Sequence, residues 1–266
     1  MFGVLTVTET QLSFWPRLLL RFFPSRGLVL SLHSYRMSSF RVAAVTLPFG
    51  LRTAAAEKRV FCALRELRAT GVRRLVVPER WQEQARALGF APVDEHPLLR
   101  ACAADAVIAG CKKAALDPAR VCITVCAEAV DRLLSDQLLT LARNVRTLRL
   151  RCPQDLPVLR RRLLDACGIA AEGPLPEGAP EAALVLDGIP PESAALAVDL
   201  TGVSHASWPV RALLPSLHPP EEALRHCPEN ADKQCFLCAL YLCGGLTAHE
   251  IGLDITEPTQ YNNEEN

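Results

Sequence analysis

The run Val121-Cys122-Ile123-Thr124-Val125, continuing into Cys126-Ala127-Glu128-Ala129, decides the fold class. Five apolar or β-branched residues in a row, with no charge among them, fit a strand buried on both faces inside a parallel sheet. A helix is predicted over 128–143, where Val130, Leu133, Leu134, Leu138 and Leu141 recur at helical spacing. Arg146–Leu150 reads as the next strand, and Asp155–Cys167 as a helix stopped by Gly168. Residues 172–181, rich in Pro, Gly and Glu, read as a loop. Ala182–Leu186 and Ala195–Leu200 read as two more strands. Such alternation predicts right-handed βαβ units and parallel sheets with helices on both faces.

The alternation also extends backward. Val42–Leu47 is a short strand closed by Pro48 and Gly50, and residues 52–69 form a helix on Val60, Phe61, Leu64 and Leu67. Arg73–Val77 is a strand, Pro78–Leu88 a helix ended by Gly89, and Phe90–Val93 a short strand. A long helix is predicted over about 97–115. Its centre, Leu98–Cys111, carries only Arg100 and Asp105 as charges, so it is expected to be buried between layers. Toward the C-terminus come a Pro-rich hinge at 215–220 and helices near 221–226 and 231–243. The expected fold is α/β, with two lobes of mainly parallel sheet, the second Rossmann-like, and C-terminal helices. The divisions fall at 37–95 for the first lobe, 96–117 for a buried connecting helix, 118–205 for the Rossmann-like lobe and 206–266 for a C-terminal helical segment and tail.

Residues 1–36 read differently. They hold Phe2, Phe14, Trp15, Phe22 and Phe23 but no cysteine or lysine, and Pro16 and Pro24 bracket Leu18-Leu19-Leu20. The chain has two methionines, Met1 and Met37. The segment is expected to be a non-core extension: an early-placed start, a transit peptide or a short amphipathic anchor.

Composition narrows the class. Half the residues are hydrophobic and 22% are charged, which excludes wholesale disorder. No stretch approaches the roughly 18–20 apolar residues of a transmembrane helix. Eleven cysteines without a disulfide framework point to a reducing, cytoplasmic setting. The net charge of zero conceals +3 over 1–36, +9 over 37–168 and −12 over 169–266. An acidic C-terminal part docked on a basic body accounts for this. Nucleic acid is not expected as a partner, because the arginines are spread over many elements. Arginine outnumbers lysine 25 to 4, which looks like GC-rich coding.

The order of a small α/β lobe, a long connecting helix, a Rossmann-like lobe and returning C-terminal helices covers roughly 41–245. It resembles the organisation of the shikimate dehydrogenase-like and amino-acid dehydrogenase-like proteins. In that family, the resemblance implies, the first strand of the cofactor lobe runs into G-x-G-x-x-G, whose backbone holds a pyrophosphate at a helix N-terminus. Here Val121–Val125 runs into Cys126-Ala127-Glu128-Ala129, with no glycine and with Glu128 where a phosphate would lie. No dinucleotide cofactor is therefore expected. Arg149, Arg151, Arg160, Arg161 and Arg162 lie near the place of a 2′-phosphate contact, but a solvated strand end and helix face explain them as well.

Cys227, Cys235, Cys238 and Cys243 stand near His226 and His249, yet only Cys235-x-x-Cys238 has the spacing of a zinc knuckle. That pair lies on an apolar helical stripe, so core packing and no metal are expected. The best polar constellation is Asp199-Leu200-Thr201-Gly202-Val203-Ser204-His205 after a strand, with Asp187-Gly188 ending the strand before it. Asp187, Asp199, Thr201, Ser204 and His205 are the candidate ligand-binding residues, suited to a polyol, a metal or a phosphate; turn and cap chemistry is the competing account. No serine elbow, P-loop or H-E-x-x-H is present, and no catalytic residue is assigned. The expected function is non-catalytic binding of a small molecule or a protein partner. The alternatives are an oxidoreductase or transferase with an atypical cofactor site around Asp199–His205, and nucleic-acid binding through the basic region 41–168.

Overall fold

The computed structural model describes residues 1–11, 28–49, 53–171, 179–201, 208 and 210–257. Among these, the first elements in chain order are β1 (Phe2–Thr10), β2 (Leu28–Tyr35), β3 (Ser38–Pro48), α1 (Thr53–Ala69), β4 (Arg74–Val76), α2 (Gln82–Ala87) and β5 (Ala91–Pro92). Then come α3 (His96–Ala101), α4 (Ala103–Lys113), β6 (Cys122–Cys126), α5 (Arg132–Ala142), β7 (Thr147–Arg151), α6 (Pro157–Cys167), β8 (Glu181–Val185) and β9 (Leu196–Asp199). The last are β10 (Arg211–His218), α7 (Glu221–Arg225), α8 (Lys233–Leu242) and β11 (Gly252–Thr256). The class is α/β with two mostly parallel sheets. Two compact units result, Met1–Glu95 with Pro219–Glu250, and His96–His218 with the stretch from Ile251.

The first unit holds a five-stranded sheet in the order β2-β3-β1-β4-β5, parallel except for the β2–β3 hairpin. The described part of residues 1–36 corrects the expectation of a non-core extension. β1 lies between β3 and β4, and Phe2, Val4 and Leu5 are fully buried. The physical reason is local: Val4, Thr6, Val7, Thr8 and Thr10 are β-branched and suit a pleated strand. Gly3 is required there, since a Cβ would come within 2.9 Å of Val72 Cγ1 and 3.0 Å of Leu75 Cδ1. Leu5, Val45 and Leu47 pack with Val60, Leu64 and Leu67 of α1 on one face. On the other face Phe2 stacks on Phe40 at 5.2 Å, and both rings meet Phe236 of α8 edge-on.

The second unit holds a six-stranded sheet in the order β11-β10-β9-β8-β6-β7, with only β10–β11 antiparallel. β6 and β8 are buried along their whole length, as the continuous apolar run required. Three expectations change here. The predicted single helix over 97–115 is two helices, α3 and α4, broken at Cys102 (φ −102°, ψ 7°), and it belongs to this unit's core. Gly110 lets α4 approach the sheet, because a Cβ would meet Val198 Cγ2 at 2.7 Å. The predicted hinge at 215–220 is in part β10, which tolerates Pro215 because its parallel pairing with β9 ends at Leu213. The region 206–266 also contains β11, so it is not only helical.

Helices on both faces were expected of every sheet, and the second sheet departs from this. Residues of α3, α4, α5 and α6 share one core with Ile123, Val125, Leu184 and Val198. The opposite face, bearing Cys126, Ala183, Val185 and Ala197, packs with Ala194, Trp208 and Val210 of connecting segments and with no helix among the described residues of this unit. The cause is the β8–β9 connection, residues 186–195, which forms turns and no helix.

Candidate ligand site at the switch point of the second sheet

Chain order reverses around β6. After β6 and β7 the chain passes beside β7, where Leu150 N donates to Ala171 O at 3.3 Å, and returns to the far side of β6 as β8. In open α/β sheets the crevice outside the strand ends at such a reversal is where ligands bind. Here that crevice is stitched by the protein itself. Leu186 N and Asp187 N both donate to Cys126 O, at 2.9 and 3.2 Å. Asp187 Oδ2 then accepts from Glu128 N at 3.3 Å.

Two more backbone donors near the start of α5 have side-chain partners. Val130 N donates to Gln154 Oε1 at 3.2 Å, and Leu134 N donates to Asp131 Oδ1 at 2.8 Å, so Asp131 is the N-cap of α5. Arg100 of α3 spans the two carboxylates, 3.1 Å from Asp131 Oδ2 and 3.8 Å from Asp187 Oδ2. Asp131, Asp187 and Glu128 thus gather near this helix start, the first two paired with Arg100. An incoming pyrophosphate would meet carboxylates and find the Glu128, Val130 and Leu134 amides already taken.

Beside this cluster lies a cavity of about 330 Å³ between the first turns of α5 and α6. Val130, Leu156 and Leu159 line it with apolar surface, and Asp131, Asp155, Arg132 and Arg162 bring both signs of charge to it. α6 begins with Leu156 and Pro157 and has no side-chain cap, so its first amides are left for solvent or a ligand.

The sequence-predicted residues separate. Asp187 serves the stitch just described. Asp199 ends β9 and is buried; its Oδ1 accepts from Thr201 N at 2.8 Å and from Thr201 Oγ1 at 2.7 Å. Its Oδ2 is buried and has no hydrogen-bond partner among the described residues. Ser204 and His205 lie outside the described residues. Arg100, Asp131 and Gln154 were not singled out by sequence reading. The available signal was Asp131 three residues before Leu134, a helix-cap spacing.

A second polar feature sits on the face packed by connecting segments. The buried Glu181 carboxylate accepts from the Thr124 and Ser193 hydroxyls. Among the described residues no group of three or more His, Cys, Asp or Glu is placed to hold a metal ion. Burial, with Asp232 beside it, pushes the Cys235 thiol up to about 12. No helix among the described residues is long and apolar enough to cross a membrane. Of the arginines noted in the sequence, Arg160 pairs with Asp155, Arg161 with Asp165 and Arg162 with Asp136. No protein-family model matches the chain, and no curated protein matches it.

Proposed function

We propose that this chain is a small-ligand-binding protein of Rossmann-like organisation whose dinucleotide grip is replaced by its own side chains. The observation that carries this reading is the capture of Glu128 N, Val130 N and Leu134 N by Asp187, Gln154 and Asp131. The similarity of organisation to the shikimate and amino-acid dehydrogenase-like proteins then concerns architecture and not hydride transfer. The ligand occupies the cavity between α5 and α6. Its lining combines apolar surface from Val130 and Leu159 with both signs of charge, which suits a small zwitterion with an apolar body. A thermal-shift panel of free amino acids and related zwitterions tests this. At least one member raises the melting temperature of the wild type and fails to raise that of Ser135→Trp, which fills the cavity. A shift that persists in Ser135→Trp, or a panel without any shift, contradicts the reading.

A second reading rests on Asp199 Oδ2, which has no hydrogen-bond partner among the described residues. A buried carboxylate oxygen without a partner is costly, and such groups concentrate where a ligand or a proton completes them. On this reading Asp199 and Thr201 form the wall of a transferase or oxidoreductase site. Asp199→Asn separates the two readings: it abolishes ligand response only if Asp199 touches the ligand.

A further inference from the structure

Two sheets present four edges, and three are defended. β5 is two residues long and its second residue is Pro92. β7 carries Arg149 and Arg151, and its Leu150 N–H already donates to Ala171 O. β11 carries Asp254, whose Oδ1 accepts from Ile255 N at 2.8 Å. Short length, proline and charge are the devices that keep an open strand from pairing with another chain.

β2 has none of them. Leu28-Val29-Leu30-Ser31-Leu32-His33-Ser34-Tyr35 is eight residues without Asp, Glu, Lys, Arg or Pro. Its inner edge pairs with β3 from Leu28 to Tyr35, and among the described residues no strand pairs with its outer edge. Apolar side chains stand out on both faces of this edge, with Val29 60% and Leu32 61% exposed. An apolar surface combined with a free row of backbone N–H and C=O groups calls for a strand. A lipid surface would cover the side chains but strand the polar backbone.

We propose that the outer edge of β2 pairs antiparallel with β2 of a second copy of this chain across a two-fold axis. The edge is neutral, so an identical edge meets it without like-charge repulsion. Because opposed residues in an antiparallel pair share a face, the axis at Ser31 sets Leu30 of each copy against Leu32 of the other and Val29 against His33. The two five-stranded sheets become one continuous sheet. A ladder of this length is at the small end of stable interfaces, which bury about 1,000 Å² or more, so the dimer depends on concentration.

Sedimentation velocity on the full chain across the micromolar range tests the proposal. The wild type moves from monomer to dimer as concentration rises. Leu32→Lys, which places a charge on the edge, stays monomeric, and Leu164→Lys, at an exposed position of α6, dimerises like the wild type. Hydrogen exchange on the wild type gives an independent reading that needs no variant: β2 amides exchange more slowly at high concentration than at low. A wild type that stays monomeric throughout overturns the proposal, as does a folded Leu32→Lys that still dimerises. Slow β2 exchange that does not change with concentration also overturns it, because the edge is then covered from within the same chain.

Discussion

β1 and β6 are both flanked by parallel strands, yet they are packed differently. β1 is covered on both faces by helix-borne apolar residues, with Leu5 toward α1 and Phe2 toward Phe236 of α8. β6 turns Ile123 and Val125 toward four helices, and its opposite face carries Thr124 against the buried Glu181. The first sheet is therefore a packing core with no buried ion in its centre strand. The second sheet keeps its polar groups on the face packed by connecting segments and at the strand ends. The ligand site proposed above accordingly lies in the second unit, where backbone donors and carboxylates converge.

Removing β1 is the most severe way to break this comparison. A chain starting at Met37 loses β1 from the middle of its first sheet together with the edge strand β2, and its first unit fails to fold. Hydrogen exchange then shows no protected amides in β3 or α1, whereas stability equal to that of the full chain would return residues 1–36 to the periphery. Leu5→Ala in β1 costs about 2–5 kcal/mol in denaturant unfolding, the range for truncating a fully buried leucine. Thr124→Val in β6 tests the polar counterpart. It leaves the Glu181 carboxylate with Ser193 as its remaining hydroxyl and costs about 1–3 kcal/mol. Asp131→Ala removes the N-cap of α5 and the 3.1 Å partner of Arg100, and costs about 0.5–2 kcal/mol.

The smallest expected effect is a pH dependence confined to the first unit. The hydrogen bond from Arg36, aided by Thr247, holds the Glu250 carboxyl down at about 2. Its folded pKa lies below the ordinary value of about 4.3, so the pair's stabilisation is complete above that value. It is lost as pH falls toward 2. Comparing denaturant midpoints at pH 7 and pH 3, Glu250→Gln loses less on acidification than the wild type; because the pair is at the surface, the difference is small.

What the sequence made legible follows from how local each signal is. β6, β7, α5 and α6 declare themselves through period and caps, down to Gly168, which takes φ +68° to end α6. β1 has five β-branched residues in nine, but the unlike segment after it hid that pattern when 1–36 was read as one block. β10 was obscured by Pro215, which reads as a breaker unless the missing N–H faces an unpaired side. The missing glycines at Cys126–Ala129 were plain. What fills their place was not, since Arg100, Asp131, Gln154 and Asp187 come from four separate segments that only the sheet order brings together.

Titration calorimetry of the full chain with NAD⁺, NADP⁺ and their reduced forms tests the central claim most directly. With Glu128 N, Val130 N and Leu134 N already held by side chains, no binding heat appears up to the millimolar range. Saturable binding of any of the four at millimolar affinity or tighter would contradict the account, because a pyrophosphate would then be displacing Asp131 and Asp187 from the positions they hold here.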